Sequence, residues 1–443
     1  MLATLRQRNF ALLWSAGLIS SIGDWVMFVG LPIYIFLLTH SILATSLMML
    51  VGRIPRILLG PVAGVFADRW DRKRILVVTN LLLTGVVLLL LLVRTPTLVW
   101  IVYLEGVIEA SVDQFFNPAQ NALLPTLVPA EQLVTANSLN SLSFELARLV
   151  GPALGGVVGA TLGLNGIVAL DSASFLIAAL LIMPIVAPKR SAGAYPTPAA
   201  HSGSLAAEEA GAIVRVWRDW MDGLRVIVRE RTLKVLLAAM AITSLGEGVI
   251  GVLYPIFVYR ILHGGPGQIG TLMTAQAVGG LIGAALVGRI GSRALSRWVI
   301  GLTSFAFGSI DLVIFNIPRV FPSFGLQIAL FILVGIPVMF FITGMQTLAQ
   351  LRSPDAYRGR ISSSIGTTVG VLGLIGTIIA GTITDHFGVV AVLTFQGAGY
   401  IAAGLLMLSL LPPGRPTAAE VARAGAPSVE VPEPNADRVP SEV

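Results

Sequence analysis

Long apolar stretches, bounded by glycine, proline or charged residues, recur from one end of the chain to the other. A helix needs about 20 mostly apolar residues to cross the hydrocarbon core of a bilayer. Twelve stretches qualify, at about residues 10–38, 41–66, 75–93, 98–116, 137–162, 166–187, 235–260, 268–288, 298–316, 326–350, 361–384 and 389–411. The pattern predicts an all-α integral membrane protein with twelve transmembrane helices in two pseudo-symmetric six-helix bundles.

Composition narrows the class of protein further. Hydrophobic residues make up 55% of the 443 residues and charged residues 12%, about half the roughly 25% that is usual in soluble domains. Little sequence remains for a large soluble catalytic domain. The absence of cysteine excludes a disulfide framework and a thiolate nucleophile, and neither G-x-x-x-x-G-K-[ST] nor H-E-x-x-H occurs. We predict that the chain is not an enzyme and carries no cofactor or metal.

The basic residues are unevenly divided between the two sides of the predicted bundle. With the N-terminus in the cytoplasm, most of the 29 Lys and Arg residues fall on the cytoplasmic side, and only Arg94, Arg260 and Arg319 fall on the other. This asymmetry is what the positive-inside rule predicts. The net charge of +6 therefore reflects topology and not nucleic-acid binding. We expect a multi-pass protein of the cell (inner) membrane with both termini in the cytoplasm.

The extramembrane segments divide the chain into four predicted parts. These are an N-terminal bundle at 1–187, a cytoplasmic linker at 188–234, a C-terminal bundle at 235–411 and a disordered tail at 412–443. Residues 188–211 are rich in Ala, Gly, Pro and Ser, which is typical of a flexible linker. After them Trp217, Trp220 and Ile227 recur at helical spacing among arginines, which favours a helix on the membrane surface. A partner-binding helix is the alternative.

The two halves of the chain repeat one another. In spans one and seven the segments SIGDWVMFVGLPIY and SLGEGVIGVLYPIF align without a gap, so that Asp24 corresponds to Glu247. In spans five and eleven GPALGG at Gly151 corresponds to GTIIAG at Gly376. Two six-helix halves in the same orientation imply a pseudo-two-fold axis along the membrane normal, with a ligand site expected at their interface near mid-membrane.

Two motifs give the chain a family resemblance. The segment GVFADRWDRKR, which begins at Gly64 between spans two and three, resembles the G-x-x-x-D-R-x-G-R-R signature of the major facilitator superfamily, with Asp71 in place of the second Gly. In span five, ANSLNSLSFELARLVGPALGG resembles the antiporter motif G-x-x-x-G-P-x-x-G-G, with Ala147 in place of its first Gly. Over about residues 10–411 the chain resembles the twelve-span drug/proton antiporters of that superfamily, which include macrolide efflux proteins and the enterobactin exporter.

The resemblance implies alternating access, with helices one, four, seven and ten lining a central cavity and helices two, five, eight and eleven forming the moving interface. It also implies a conformational latch, whose contacts exist in one access state and break in the other. We assign this latch to Gly64, Asp68, Arg69, Arg72, Gly151 and Pro152. Small residues allow close helix contact, and a carboxylate can meet the positive end of a facing helix. The alternatives are arginines that only fix the topology and a Gly-Pro motif that only packs around a kink.

Charged side chains inside the predicted spans are the candidate chemistry, because each costs at least about 2.5 kcal/mol at mid-bilayer on insertion scales. Asp24 and Glu247 lie mid-span and are related by the repeat, so they are the leading proton or substrate sites. Glu105 and Glu109 come second. They lie four residues apart on one face of span four, where mutual repulsion between two carboxylates favours binding of a proton.

The remaining intramembrane charges have simpler interpretations. Asp113, Asp171 and Asp311 lie near the ends of their spans, where solvated carboxylates are expected. The intramembrane counter-charges are Arg53, Arg56, Arg148 and Glu145. Arg53 is expected to balance Asp24. Glu145 and Arg148, three residues apart, are expected to neutralise one another, and anion binding by the arginines is the alternative.

An ion gradient is the natural energy source for a chain without a nucleotide-hydrolysing motif. We predict a secondary active transporter that couples protons to the efflux of amphipathic organic molecules, of drug or macrolide type, through a mostly apolar cavity. The alternatives are export of a siderophore or transport of a lysophospholipid, attracted by Arg53, Arg56 and Arg148, and more remotely a non-transporting receptor. The predicted partners are a small-molecule substrate, protons and membrane lipid, without nucleic acid; the oligomeric state stays open.

Overall fold

The computed structural model describes residues 2–55, 59, 70–186, 220–354 and 357–412, apart from the side chains of residues 2, 3, 130 and 134. These ranges consist of helices and their connections, without a β-strand. A bent helix, Leu133–Ile182, has non-helical backbone angles at Gly163, and we treat its arms as α5 (133–162) and α6 (164–182). The others are α1 Arg8–Thr39, α2 Ile42–Val51, α3 Arg72–Leu88, α4 Trp100–Leu123, α7 Arg231–Arg260, α8 Pro266–Ile290, α9 Arg297–Asn316, α10 Phe324–Arg352, α11 Arg358–Phe387 and α12 Val389–Leu410.

Most of these helices have the length and hydrophobicity of membrane spans. Within the described ranges, nine continuous helical segments are long and apolar enough to cross a membrane, and one of them contains both α5 and α6. α4 is not among them because it carries Glu105, Glu109 and Asp113, and α2 is described over only ten residues. The helices α1 to α12 match the twelve predicted spans in order, so the predicted fold class is confirmed.

Short polar side chains determine where several helices begin. The side chains of Ser41, Asp71, Ser296 and Ser323 each accept a hydrogen bond, of 2.9 to 3.3 Å, from the backbone N–H three residues further on. Such a cap pairs one of the N–H groups that the first turn of a helix leaves without a partner. Asp71, which replaces the second Gly of the superfamily signature, is therefore the N-cap of α3.

Corresponding corners of the two halves have the same backbone conformation. His40 and His263, 223 residues apart, have φ angles of 53° and 51° at the α1–α2 and α7–α8 corners. Gly163 and Gly388, 225 residues apart, have φ angles of 62° and 84° at the α5–α6 and α11–α12 corners. Positive φ is uncommon for residues other than glycine, so its recurrence at two equivalent histidines indicates that the same turn is built twice.

The repeat extends to helix packing within each half. A Cβ atom at Gly151 of α5 would lie 3.2 Å from the carbonyl oxygen of Ile22 in α1. The equivalent Gly376 of α11 lies against the carbonyl oxygen of Leu245 in α7, the counterpart of Ile22. Because glycine lets two helix backbones approach closely, each half contains the same crossing of its first helix by its fifth.

Two pairs of helices join the halves. α5 crosses α8 where a Cβ atom at Gly156 would lie 3.1 Å from the Cα atom of Gly270. α11 meets α2 where a Cβ atom at Gly381 would lie 2.6 Å from the Oγ atom of Ser46. These are the four interface helices that the family resemblance implies. Both contacts lie toward the end of the molecule that carries the four corners described above, which we call the closed end.

Side-chain packing reinforces the closed end. Phe36 of α1 is buried and contacts Tyr259 of α7 edge-on, with 6.1 Å between ring centres. The guanidinium of Arg260 lies 4.8 Å from the centre of the Phe36 ring, a cation–π contact that contributes about 0.5–2 kcal/mol. The halves are thus held together at this end by backbone contact, apolar packing and one cation–π pair among the described residues.

A short helix at residues 220–229 packs against the C-terminal half. Ser364 Oγ of α11 donates a hydrogen bond of 2.9 Å to the carbonyl oxygen of Trp220. Gly223 lies against the backbone of Arg360, and Ile227 is fully buried. The last part of the linker therefore contacts the bundle directly, while residues 187–219 and the tail from 413 lie outside the described residues.

Candidate functional site

A polar cavity of about 310 Å³ lies in the N-terminal half. It is lined by Gly17, Ser20, Ser21, Asp24, Asn80, Leu83, Asp113, Phe116, Asn117, Gln120, Asn140, Ser143, Phe144 and Phe175, from α1 and α3 to α6. The repeat predicts a ligand site between the halves, whereas one half supplies all of this lining. Most of its lining side chains are polar, so this space differs from the mostly apolar cavity expected between the halves.

Asp24 reaches the cavity from the middle of α1, where its side chain is exposed. Four further acidic side chains lie within electrostatic range of Asp24, and together they form what we call the acidic cluster: Asp24, Glu105, Glu109, Asp113 and Asp171. The side chains of Glu105 and Glu109, one turn apart on α4, lie close enough to one another to interact.

The acidic cluster is suited to protons and organic cations. Across the ranges that the structure describes, no group of three or more His, Asp or Glu residues is arranged to hold a metal ion. Carboxylates from α1, α4 and α6 instead share one region without converging on a single point. Such acids can take up and release protons, and they can attract a positively charged group in the adjoining cavity.

Two acidic residues that were expected to be solvated are buried. Asp171 of α6 is 3% exposed and Asp311 of α9 is 4% exposed. Asp171 packs against Gly23 of α1, and its Oδ1 atom has no hydrogen-bond partner among the described residues. Asp311 accepts a hydrogen bond of 3.1 Å from Nε2 of Gln396. The expectation is wrong because each residue faces a tightly packed neighbouring helix of its own half.

Glu247 belongs to a second polar group, in the C-terminal half. Its side chain is exposed and accepts a hydrogen bond from the hydroxyl of the buried Tyr400. Arg148 of α5 lies within electrostatic range of Glu247, and Asp311 with its partner Gln396 lies close to the same carboxylate. A basic residue of one half thus faces an acidic residue of the other.

The two polar groups occupy equivalent places in the repeat but differ in chemistry. Gly23 of α1 packs against Asp171 of α6. The equivalent Gly246 of α7 packs against Gln396 of α12, which lies 225 residues after Asp171. An acid in the first half is therefore replaced by an amide in the second. The acidic cluster is not duplicated at this position.

The other intramembrane charges are dispersed. A Cβ atom at Gly373 of α11 would lie 3.2 Å from Nη1 of Arg53, so this guanidinium lies against the C-terminal half. Glu145 is exposed, and in the described part of the chain no ion pair joins it to Arg148. Arg56 lies outside the described residues.

The described end of the signature loop, at the start of α3, contacts α4 through two side chains. Nη1 of Arg72 donates a hydrogen bond of 2.7 Å to the carbonyl oxygen of Ala122, near the C-terminal end of α4, where a positive charge is favourable. The ring of Trp70 stacks on that of Phe115, with 6.5 Å between centres. The other latch residues of this loop lie outside the described residues: Gly64, Asp68 and Arg69.

The Gly-Pro motif of α5 faces two neighbours. Gly151 packs against α1, as described above, while the carbonyl oxygen of Pro152 lies against Gly270 of α8. The motif therefore contacts both its own half and the other half. This placement suits a latch and close packing equally.

Amide side chains are the part of the site that the sequence analysis missed. Asn80, Asn117, Gln120 and Asn140 all line the cavity. A signal was available in span four, because Asp113, Asn117 and Gln120 recur at intervals of four and three residues and therefore share one helix face. The polar face of α4 is longer than its two glutamates alone indicate.

Comparison with known proteins gives consistent results. The family described as transmembrane secretion effector matches residues 1–438. Macrolide efflux protein A of Streptococcus pyogenes is 27% identical over 386 residues, covering 86% of this chain and 90% of the relative. The multidrug efflux pump Tap of Mycolicibacterium fortuitum is 26% identical over 415 residues, covering 89% and 92%. The crystal structure of a bacterial homologue of the iron transporter ferroportin, in its inward-facing state, superposes with a TM-score of 0.69 at 19% identity, covering 92% of this chain and 98% of that one.

Proposed function

The chain belongs to the transmembrane secretion effector family of the major facilitator superfamily and is a multi-pass membrane transporter, not an enzyme. We propose that it exports amphipathic organic molecules in exchange for protons. Transport proceeds by alternating access across the inner membrane, with both termini in the cytoplasm. The efflux-type names of the similar proteins support export as the direction.

The observation that carries the proposal is Asp24, an acid at mid-helix that faces a cavity and is surrounded by four further acids. A proton and a cationic group of the substrate compete for the same carboxylate, because each neutralises it. Uptake of a proton therefore favours release of the substrate, and loss of the proton favours its binding. This competition is the minimum chemistry that antiport requires.

Glu247 is the second proposed proton site. Its carboxylate accepts a hydrogen bond from Tyr400 and lies within range of Arg148 from the other half. Protonation of Glu247 removes the charge that attracts Arg148 and so weakens an attraction between the halves. In this proposal the protonation state of Glu247 biases the relative position of the two bundles.

Alternating access requires the contacts of the closed end to break and others to form at the opposite end. The glycine contacts between α5 and α8 and between α11 and α2 support this proposal, because they join the halves without interlocking large side chains. In the predicted orientation the closed end faces outward. In this proposal the described structure is a state that is closed toward the outside.

The test is accumulation of a labelled macrolide or of ethidium in proteoliposomes, with and without an imposed pH gradient. We expect Asp24→Asn or Glu247→Gln to reduce gradient-driven accumulation by about tenfold or more, because an amide cannot exchange a proton. Downhill exchange should persist, since the side-chain shape is nearly retained. The matched control is Glu131→Gln, at an exposed position in the α4–α5 connection, which should behave like the parent.

Equal accumulation by the parent, both single variants and the double variant would exclude these residues as the coupling site. Attention would then turn to Glu105 and Glu109. If the parent itself shows no response to the gradient with any compound, proton coupling is wrong for this chain.

An anionic substrate, such as a siderophore or lysophospholipid, is less well supported. Such a ligand needs basic side chains in its binding site. None of the residues lining the described cavity is basic. Export of a neutral or cationic compound is therefore the better match to this space.

A further inference from the structure

The hydrogen-bonding groups of the cavity are biased toward acceptors. Nδ2 of Asn80 donates a hydrogen bond of 2.7 Å to the carbonyl oxygen of Leu76, and Nδ2 of Asn117 donates one of 3.1 Å to the carbonyl oxygen of Asp113. Each amide nitrogen thus uses one of its two N–H groups within its own helix, four residues back. Each amide oxygen remains as an acceptor on a residue that lines the cavity.

Other polar groups add to the same bias. The hydroxyl of Ser143 donates a hydrogen bond of 2.7 Å to the carbonyl oxygen of Asn140. Only the lone pairs of the Ser143 oxygen then remain for a ligand. The carboxylates of Asp24 and Asp113 are acceptors when ionised. The side-chain amides of Gln120 and Asn140 can act as donors or as acceptors. Ser20 and Ser21, which also line the cavity, and the remaining amide N–H groups can donate, but the carboxylates and the other side-chain oxygens offer more acceptor positions than these groups offer donors. A ligand rich in donors therefore matches this cavity better than one rich in acceptors, because a buried acceptor without a partner costs about 1–3 kcal/mol.

The apolar part of the lining is mainly aromatic. Phe116, Phe144 and Phe175 line the cavity with Leu83, and Phe144 is held edge-on by Trp25 with 6.4 Å between ring centres. Aromatic faces attract cations and pack against other rings. The cavity thus combines acceptors, negative charge and aromatic surface.

From these contacts we propose that the N-terminal cavity binds organic cations rich in N–H donors, a guanidinium or primary ammonium attached to an apolar or aromatic group. The acidic side chains and amide oxygens take the N–H groups, and the phenylalanines take the apolar group. The proposal rests on the proposed transport function, to which it adds a substrate class. Cations without N–H groups are discriminated against, even when their charge and size are the same.

The test compares benzylguanidinium with benzyltrimethylammonium, which share a charge and an aromatic ring but differ in N–H donors. Binding to the purified full-length protein in detergent is measured by calorimetry without any gradient. We expect benzylguanidinium to bind about tenfold or more tightly, since hydrogen bonds to charged groups contribute about that much each.

A variant pair tests whether the preference arises in this cavity. Asn117→Leu removes one amide acceptor and should reduce the ratio of the two affinities several-fold. The control is Asn316→Leu in α9, outside the cavity, whose amide nitrogen donates to the carbonyl oxygen of Leu312, four residues back, at 2.9 Å and also to Oγ1 of Thr394 at 3.0 Å. It should leave the ratio unchanged. Asn117→Ala replaces Asn117→Leu if that variant does not elute as a single species.

The outcomes separate this inference from the proposed function. Equal binding of the two cations, tighter binding of the quaternary one, no binding of either, or a ratio unaffected by Asn117→Leu would each overturn the substrate class. Because binding is measured without a gradient, these results do not depend on proton coupling. Preferential binding of benzylguanidinium in a protein that shows no proton-driven transport would instead support the cavity chemistry and refute the function.

Discussion

Buried polar pairs show how strongly one residue of this protein depends on another. Asp311 and Gln396 are 4% and 1% exposed and are joined by one hydrogen bond of 3.1 Å. A buried acceptor that loses its donor costs more than the bond itself contributed, whereas replacing both partners with apolar groups can be nearly neutral. The pair therefore allows a direct test of its contribution to stability.

We predict that Gln396→Leu destabilises the protein by about 1–3 kcal/mol, because Asp311 keeps its place and loses its donor. The double variant Asp311→Leu/Gln396→Leu should recover much of this loss. Thermal unfolding of the purified protein in detergent measures both effects. A double variant no more stable than Gln396→Leu would contradict the argument.

The site could be predicted from the sequence only where the repeat or a regular spacing marked a residue. Asp24 and Glu247 were marked by the repeat, and in the structure both side chains are exposed and lie in polar surroundings. Asp171 was misjudged because its burial depends on Gly23 of another helix, 148 residues away in the chain. Burial of this kind is a tertiary property that hydropathy along one helix does not contain.

Helices in this protein meet where glycine replaces a side chain, and the clearest case is α8 on α5. A Cβ atom at Gly270 would overlap the carbonyl oxygen of Pro152 and approach Gly156. Gly288, on the same helix, has nothing within 4 Å of its Cβ position. At Gly270 there is thus no room for a side chain, whereas at Gly288 on the same helix there is.

We predict that Gly270→Ala lowers the thermal unfolding temperature and reduces transport several-fold, because the added methyl group forces α5 and α8 apart. Gly288→Ala should leave transport unchanged, since alanine is the better helix former and meets no neighbour. Unfolding and transport are measured for both variants side by side. Equal behaviour of the two would show that the crossing tolerates separation.

For the helices, the sequence predicts which helices exist better than it predicts where each one begins and ends. Apolar length predicted all the helices, but α4 extends to Leu123 rather than to about residue 116, because its last turns carry amides that face a cavity. The corner at His40 was not anticipated, since a left-handed histidine has no distinctive local pattern. Asp71, a departure from the family signature, has its explanation in the capping of α3.

In the proposed transport cycle, the closed end is the feature of the whole molecule that must open. The Cβ atom of Ala160 in α5 lies 3.6 Å from the Cβ position of Gly267 in α8. Disulfides join residues whose Cβ atoms are about 3.5–4.5 Å apart. The chain has no cysteine of its own, so an introduced pair reports on this contact alone.

We predict that Ala160→Cys/Gly267→Cys forms a disulfide under mild oxidation and that transport then stops, because the halves cannot separate. Reduction should restore it. Each single cysteine variant, treated in the same way, serves as the control. Transport that continues with the disulfide fully formed would mean that this end does not open during the cycle.

The position of the cavity has a consequence for how the protein is made. Its lining is complete at Phe175, so every lining residue leaves the ribosome while more than half of the 443 residues are still to be added. At about 5–20 residues per second, synthesis of the rest takes roughly 15–50 s. During that interval the nascent first half already holds all the groups that would recognise a ligand, but not the second half against which it must move. The proposed recognition site is thus complete in the part of the chain that is synthesised first, whereas the proposed motion requires the second half as well.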